Sequence, residues 1–297
     1  MTALTVGLVT RHFQSRAGGW DPAMLDIAQD HALCHLSEQG LFDRGLVFKG
    51  GTALRKCRAG TAGRFSTDLD FAASGDDLVA DVLLHLDGLR CHGFTFDLVD
   101  LDEHAGRAAL AVGAPLTRRP PHAPGAIGIG SKVELSPRHP WREPDRLPMP
   151  QSGVHLALGH ELPVLPVMTV TESVAEKLAR YARVALARDL YDLWWYGTNV
   201  ALDEAGVRSM WVRKVYGDVV IDGRWRRPFD PAEILVPRRA RDIDEESIGF
   251  LTHPTEVLRW EREFRARYAF LGQLDPQDVL WAACDPRLRY EYEQSIT

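Results

Sequence analysis

The pattern that most constrains this chain is the alternation of Asp68, Leu69, Asp70 and Phe71. Successive side chains of a β-strand point to opposite faces of a sheet, so the two apolar residues indicate a strand with one buried face. The two aspartates then share the other face, where neighbouring carboxylates repel each other unless a cation lies between them. Oxygen ligands favour Mg²⁺ or Mn²⁺. The alternative is a solvated turn with two exposed aspartates, and the apolar neighbours argue against it.

A pair of glycines precedes this strand. Gly50, Gly51 and Thr52 follow the apolar residues 46–48 and lead into a predicted helix. Glycine allows a ligand to approach the backbone closely, and a helix N-terminus offers N–H groups and a partial positive charge to a phosphate. Thr52 adds a hydroxyl and Arg55 a cation, so we predict a triphosphate-binding turn. A plain Gly-Gly turn is the alternative.

A third carboxylate is expected from a neighbouring strand. Glu134 lies in a predicted strand over 127–135, in which polar and apolar residues alternate. Asp68, Asp70 and Glu134 therefore form the predicted divalent-metal site. For Glu134, the polar face of an edge strand is the alternative.

The composition excludes several classes of protein. The 297 residues are 45% hydrophobic and 26% charged, with 35 basic and 41 acidic residues, which excludes a disordered chain and a disulfide scaffold. The four cysteines are too widely spaced for a zinc knuckle or a redox Cys-x-x-Cys pair and suit a reducing compartment. The sequence shows neither a signal-peptide pattern nor an apolar stretch of about 18 residues. We therefore expect a cytoplasmic protein that has no membrane partner.

Positive charge is concentrated between residues 208 and 241. Nine basic and four acidic residues give this segment a net charge of +5, and Trp211, Tyr216 and Trp225 are interleaved with them. Arginine and aromatic side chains bind phosphates and stack on bases, so the segment is a candidate nucleic-acid contact. A solvated surface segment is the alternative.

Strand and helix patterns mix in the first half of the chain, and helices dominate the second half. Apolar periodicity predicts helices over 22–40 and 77–89 and strands over 94–101 and 108–112. Residues 167–196 are predicted to be mainly helical. Prolines and glycines between 137 and 159 indicate a domain boundary, so we predict a core domain over 1–150 and a mainly helical domain over 151–297 that completes the active site. The predicted fold class is α/β (α+β) with a mixed sheet.

Two histidines, His31 and His35, lie four residues apart on the helix predicted over 22–40. This is a spacing that metal ligands use on helices. The pair lacks the adjacent glutamate of a zincin motif, and the sequence indicates no third histidine or cysteine partner. We interpret both residues as ordinary helix histidines.

The motifs taken together resemble a known family. Residues 48–55 (FKGGTALR) and 64–71 (RFSTDLDF) look like the AbiEii/AbiGii toxin family of the polymerase-beta-type nucleotidyltransferase superfamily, which includes the MenT nucleotidyltransferase toxins of mycobacteria. Residues 172–180 resemble the lysine helix of that family, and residues 187–193 resemble its later Arg-Asp-x-x-Asp-Leu motif. The resemblance covers residues 46–196 in order and implies a mixed-sheet nucleotidyltransferase fold.

The resemblance implies an enzyme that moves a nucleoside monophosphate from an NTP to an acceptor hydroxyl and releases pyrophosphate. Together with the residues discussed above, the predicted site comprises catalytic residues Ser66, Asp68, Asp70, Lys177 and Asp192, NTP-binding residues Gly50, Gly51, Thr52, Arg55, Ser66 and Lys177, and metal ligands Asp68, Asp70 and Glu134.

The resemblance gives roles to a lysine and an aspartate of the second half. Lys177 would bring a positive charge to the triphosphate or to the leaving pyrophosphate. Asp192 would fix Lys177 or help to position the attacking hydroxyl. The alternatives are a solvated lysine and surface ion pairs of Asp189 and Asp192 with a nearby arginine.

The resemblance further implies a cofactor and partners. The cofactor is Mg²⁺ or Mn²⁺, the substrate is an NTP, and the acceptor is the 3′ end of tRNA. The modification of tRNA would block translation, and the toxin would be paired with a cognate antitoxin protein. The segment 208–241 would then contact tRNA. Two alternatives stay open: a nucleotidyltransferase that modifies a protein or a small molecule, and a non-catalytic NTP-binding module. The intact glycine pair, aspartate pair and Lys177 favour an active enzyme.

Overall fold

The structure is a computed structural model that describes residues 4–13, 19–73, 75–102, 106–116, 129–225, 228–244 and 255–296. The chain divides into two compact units, one within residues 4–168 and one within residues 169–296. We expected the second domain to begin at residue 151. The first unit extends further because residues 164–167 form a strand of its sheet.

The described part of the first unit combines helices with one sheet. Its helices are α1 (Val6–Phe13), α2 (Trp20–Glu38), α3 (Gly50–Leu54), α4 (Asp76–Leu86) and α5 (Gly153–Leu158). Its strands are β1 (Val47–Lys49), β2 (Asp68–Ala72), β3 (Arg90–Cys91), β4 (Phe94–Asp102), β5 (Arg107–Gly113), β6 (Ile129–Ser136), β7 (Asp145–Pro148) and β8 (Val164–Val167). A π-helical turn, Arg55–Ala59, continues α3.

The eight strands form one mixed sheet in the order β3-β4-β5-β6-β2-β1-β8-β7. Strand β2 is parallel to β6 and antiparallel to β1, and β1 is parallel to β8. This arrangement confirms the predicted mixed-sheet α/β fold. The sequence did not reveal the β7–β8 hairpin, whose prolines resemble those of a loop. Pro148 is tolerated in β7 because β7 is an edge strand.

The alternation in β2 divides the sheet into an apolar face and a charged face. Leu69 and Phe71 are completely buried and belong to one core with Phe48 of β1 and Val133 of β6. Apolar residues of α2, such as Ile27, belong to the same core. The opposite face of β2 therefore carries Asp68 and Asp70, as the sequence predicts.

The second unit is helical in its described part, which agrees with the prediction. Its α-helices are α6 (Val170–Arg183), α7 (Ala187–Asn199), α8 (Glu204–Tyr216), α9 (Val257–Arg267), α10 (Pro276–Ala282) and α11 (Arg289–Ser295). Thr169 caps α6, because its side chain accepts a hydrogen bond from the Glu172 N–H at 3.3 Å. Within the described ranges, none of the helices has the length and apolar character that a bilayer crossing demands.

Candidate active site

The glycine turn lies directly against the second aspartate of β2. Gly50 starts α3 at the end of β1 with a φ of 80°, a conformation that glycine adopts without strain. A Cβ atom built on Gly50 would overlap the Asp70 carboxylate and would lie 2.7 Å from its Cγ. Glycine is therefore required here both by the backbone conformation and by the carboxylate that packs on it.

The next two residues of the turn contact the rest of the same motif. A Cβ on Gly51 would collide with the Arg64 guanidinium and would lie 3.4 Å from the Ser66 Oγ. The Thr52 hydroxyl donates a hydrogen bond to the Asp68 carbonyl oxygen. The structure thus brings the glycine turn and the Arg-x-Ser-x-Asp segment together, although they are separate in the sequence.

The strand register places the third predicted carboxylate beside the second. Asp70 is paired with Glu134 of β6, and Asp68 is paired with Lys132. Directly paired residues of neighbouring strands point to the same face, so Asp68, Asp70 and Glu134 share one face. All three are partly exposed.

Basic residues surround these carboxylates on the same face. Lys49 of β1 is paired with Asp70. Arg107 of β5 is paired with Glu134 and places its Nε 3.4 Å from the Glu134 Oε1, with side chains that are 65% and 41% exposed. An exposed ion pair of this kind is weak and exchanges easily. The face therefore combines negative and positive groups that solvent reaches.

The second unit holds the predicted lysine in a different environment. Lys177 of α6 donates a hydrogen bond from its Nζ to the Asp192 Oδ2 of α7 at 2.6 Å, and it lies 3.9 Å from the Asp189 Oδ1. Lys177 is 4% exposed, and the two aspartates are 0% exposed. Arg180 binds Asp189 through its Nε at 2.7 Å. This burial excludes both the solvated lysine and the surface ion pairs, and the Asp192 carboxylate is a buried hydrogen-bond partner of Lys177.

Comparison with known proteins identifies the family. A family model described as the nucleotidyl transferase AbiEii toxin of type IV toxin–antitoxin systems matches residues 31–286. The chain belongs to the AbiEii family. It is therefore a nucleotidyltransferase of the toxin type, as the motifs predict.

Solved structures extend this assignment. The chain is similar to the MenT4 nucleotidyltransferase toxin from Mycobacterium tuberculosis, with 45% identity over 99% of this chain and 98% of that chain and a TM-score of 0.90. It shares 15% identity with JHP933 from Helicobacter pylori over 84% of this chain and 96% of that chain, with a TM-score of 0.42. A search of curated proteins gave no match. The MenT4 similarity confirms the fold class and the family.

The donor set on the sheet face of this AbiEii chain fits a magnesium ion. Asp68, Asp70 and Glu134 offer only carboxylate oxygens, which are the ligands that Mg²⁺ prefers. Their partial exposure leaves room for the water molecules that Mg²⁺ retains. These three residues would hold the ion.

Arg55, which the sequence suggested as an NTP ligand, lies elsewhere. Its Nε donates to the Asp26 Oδ1 at 3.1 Å, its Nη1 donates to the Gly63 carbonyl at 2.6 Å, and its guanidinium lies 4.1 Å from the centre of the Phe65 ring. The side chain is buried. The structure therefore does not bring Arg55 to the sheet face, because a buried carboxylate of α2 binds its guanidinium.

Arg55 belongs to a buried network that the sequence did not reveal. The Lys56 Nζ lies 2.7 Å from the Asp26 Oδ1 and 2.8 Å from the Asp30 Oδ1, and His155 binds Asp30 at 2.9 Å. Burial alone would raise the pKa of Asp26, but Arg55 and Lys56 hold that pKa well below its ordinary value. The signal in the sequence was a pair of acids on an apolar helix. The network anchors the segment that follows the glycine turn to α2.

The basic segment 208–241 is largely neutralised within the second unit. Arg208 binds Asp278 at 2.5 Å, Lys214 binds Glu172 at 2.7 Å, and Arg224, Arg239 and Arg241 also lie in ion pairs with acidic side chains. Trp211 and Tyr216 are completely buried, so neither ring can stack on a base. Arg226 and Arg227 lie outside the described residues. The described part of the segment is thus less basic at its surface than its composition suggests.

Proposed function

We propose that this toxin is a Mg²⁺-dependent enzyme that transfers a nucleoside monophosphate from an NTP to the 3′ end of tRNA, releases pyrophosphate and thereby blocks translation. The observation that carries the proposal is the contact between Gly50 and the Asp70 carboxylate on a face that also holds Asp68 and Glu134. A glycine turn that touches a cluster of carboxylates can bring a triphosphate and a divalent ion to one place.

We assign triphosphate binding, metal binding and support of the turn to different residues of the first unit. Gly50 lets the Asp70 carboxylate pack against the turn and Gly51 lets the Arg64 guanidinium do so, which places the turn that would hold the triphosphate beside these groups, and the Ser66 hydroxyl beside Gly51 donates to a phosphate oxygen. When bound by the three carboxylates, Mg²⁺ would supply the positive charge that offsets the phosphate oxygens and activates the acceptor hydroxyl. Thr52 is 1% exposed and its hydroxyl donates to the Asp68 backbone, so we assign it the task of tying the turn to β2.

The sequence missed one residue of this turn. The Arg64 guanidinium lies against Gly51 and donates from its Nη1 to the Phe65 carbonyl at 3.3 Å. We assign Arg64 to supporting the turn with a fixed positive charge next to the predicted triphosphate site. Its place in the Arg-x-Ser-x-Asp pattern was the available signal.

We assign Lys177 to neutralising the negative charge that develops on the leaving pyrophosphate, and Asp192 to holding Lys177. The family resemblance supports the first role, and the 2.6 Å hydrogen bond between the two side chains supports the second. The tRNA acceptor and the antitoxin partner also rest on the resemblance. Because Trp211 and Tyr216 are buried, we do not include base stacking by these two rings in the proposed contact with tRNA.

The experiment is an incorporation assay with each radiolabelled NTP and Mg²⁺ and with separate pools of total tRNA, protein and small metabolites. We expect label in the tRNA pool and its loss in Asp68→Ala. Asp97→Ala is the matched control, because Asp97 is also a strand aspartate and its carboxylate binds the exposed Arg90 at 3.0 Å.

Three results would contradict parts of the proposal. Label in the protein or metabolite pool would replace tRNA as the acceptor. NTP binding without any labelled product would favour a non-catalytic module. Equal incorporation by Asp68→Ala and the wild type would remove Asp68 from the catalytic site.

A further inference from the structure

Three histidines from separate parts of the first unit meet at one point. His31 lies in α2, His92 lies in the turn between β3 and β4, and His160 follows α5. One ring nitrogen of each histidine lies within 4.8 Å of the corresponding nitrogens of the other two. The Nε2 atoms of His92 and His160 are 2.6 Å apart, and the ring centroids of the three pairs are 4.1 to 4.5 Å apart.

His31 is the buried member of this histidine cluster. It is 2% exposed, and neither of its ring nitrogens has a hydrogen-bond partner among the described residues. A buried polar group without a partner is unfavourable, so such a group in a folded protein calls for an explanation. A ligand that binds the imidazole supplies the missing partner.

His92 adds a second, independent observation. Its φ is 48°, in the left-handed region that residues with a Cβ rarely adopt. Strained backbone of this kind is concentrated at binding and catalytic sites. The strained turn places the His92 ring in a stack with His31, with planes 10° apart and centroids 4.5 Å apart.

We propose that His31, His92 and His160 bind one divalent transition-metal ion, with Zn²⁺ as the first candidate, through three imidazole nitrogens. Imidazole ligands suit zinc, copper, iron and nickel, whereas Mg²⁺ requires oxygen. Zinc–nitrogen bonds of about 2.0–2.1 Å in a tetrahedral site place ligand nitrogens roughly 3.4 Å apart. The candidate ligand atoms all lie within 4.8 Å of one another, and the Nε2 atoms of His92 and His160 make a hydrogen-bond contact of 2.6 Å that the ion would replace. Because a metal lies in the plane of each imidazole that binds it, the stacked rings of His31 and His92 must turn relative to each other when the ion binds.

The site is distinct from the carboxylates of the proposed active site, and its role is to stabilise the first unit. An ion bound by these residues ties α2 to the β3–β4 turn and to the segment after α5. The metal adds its binding free energy to the folded state only, since its ligands are far apart in the sequence and are not assembled in the unfolded chain.

The test uses the full chain without a histidine tag, stripped with a chelator and dialysed. Zn²⁺ binding is measured by calorimetry and by metal analysis, and Co²⁺ is used as a visible probe of coordination geometry. We expect one Zn²⁺ per chain, a rise in the thermal midpoint on addition of Zn²⁺, and a Co²⁺ spectrum typical of nitrogen ligands.

Variants locate the site. His92→Asn removes a ligand but keeps a residue type that adopts positive φ readily, and His160→Gln removes a second ligand. Changes to outer-shell partners of metal ligands cost about 10–100-fold in affinity, so loss of a ligand itself should cost at least about tenfold. His35→Asn is the matched control, since His35 lies one turn from His31 on α2 and contacts the ring of His85 instead.

Two outcomes would overturn the proposal. One is the absence of stoichiometric Zn²⁺ binding to the wild-type chain. The other is binding that His92→Asn and His160→Gln leave unchanged, or that His35→Asn weakens equally. None of these measurements involves nucleotide transfer, so a result against the histidine metal site would leave the proposed enzymatic function untouched.

Discussion

Asp68 and Asp70 lie partly exposed on one face of a sheet, whereas Asp189 and Asp192 are completely buried among helices. The first pair lies among basic residues in a region that solvent reaches. In the second region, Asp192 binds the almost fully buried Lys177 at 2.6 Å. Both regions matched motifs of the same family, but their environments are opposite.

The difference predicts that the two regions respond differently to substitution. Carboxylates that solvent reaches can exchange a basic neighbour for a metal ion at little cost, because exposed ion pairs are weak. A buried ion pair cannot exchange partners in this way, and removal of one member leaves an uncompensated charge in the interior. Substitutions on the sheet face should therefore reduce activity, and substitutions in the buried region should first reduce stability.

The largest expected effect on stability comes from Asp192→Ala. Loss of this carboxylate leaves the Lys177 ammonium buried without its closest partner, so the free energy of unfolding should fall by about 3–5 kcal/mol. Urea unfolding measures the change. Asp97→Ala on the exposed part of the sheet is the control and should cost at most about 1 kcal/mol.

A double variant sharpens this test. Lys177→Met combined with Asp192→Leu replaces both charges by apolar groups and should recover most of the lost stability. Nucleotide transfer should nevertheless stay low if Lys177 has the role we propose, because the cation assigned to the leaving pyrophosphate is gone. A stable double variant with wild-type activity would leave Lys177 a purely structural role.

Gly50→Ala should have a smaller effect and should act on activity. The new Cβ would push the Asp70 carboxylate aside, and displacement of a reacting group by about 1 Å costs about a hundredfold in rate. Gly40→Ala is the matched control, since Gly40 has a φ of 71° and nothing lies within 4 Å of its Cβ position. Equal loss of nucleotide incorporation in the two variants would assign the effect to backbone strain alone.

The buried Asp26 carboxylate of the first unit tests whether burial, rather than the unit in which a carboxylate lies, decides how much it contributes to stability. The pKa of Asp26 is lower in the folded chain than in the unfolded chain, so the unfolded chain takes up the proton first as the pH falls. The resulting stability is present above about pH 4 and declines below it by up to about 1.4 kcal/mol per pH unit.

Unfolding free energies of the wild type and Asp26→Asn at a series of acidic pH values provide the measurement. The variant lacks this carboxylate, so its stability should depend less steeply on pH in that range. Identical slopes for the two proteins would show that Asp26 is protonated alike in the folded and unfolded chains.

The smallest expected effect is that of Arg107→Gln. Arg107 and Glu134 form an exposed pair, so the substitution should change stability by less than about 1 kcal/mol. If Glu134 binds Mg²⁺, removal of its competitor should lower the Mg²⁺ concentration for half-maximal transfer, by about fivefold at most. A higher Mg²⁺ requirement in this variant would argue against Glu134 as a ligand.

The sequence predicted the parts of the site that local periodicity encodes. The alternation of aspartates with apolar residues in β2 fixed the face on which Asp68 and Asp70 lie. The glycine pair after an apolar strand predicted the turn. Glu134 was predicted as a partner from a neighbouring strand, and the register places it beside Asp70.

The features that the sequence did not reveal depend on tertiary contacts between distant residues. Periodicity reports which residues share a face, but it does not report which other element that face meets. His31 therefore gave no sign of His92 and His160, and Arg55 gave no sign of Asp26. The net charge of segment 208–241 likewise gave no sign of the carboxylates outside the segment, such as Asp278, that bind its basic residues.

The central claim is that the exposed carboxylates of the sheet face carry the chemistry. The most direct measurement compares labelled nucleotide incorporation by the wild type, Asp70→Asn and Asp97→Asn, together with their unfolding free energies. We expect Asp70→Asn to lose about a thousandfold in rate, since a metal ion supplies several kcal/mol to such reactions, while it folds as stably as the control to within about 1 kcal/mol. Wild-type incorporation by a folded Asp70→Asn chain would contradict the account.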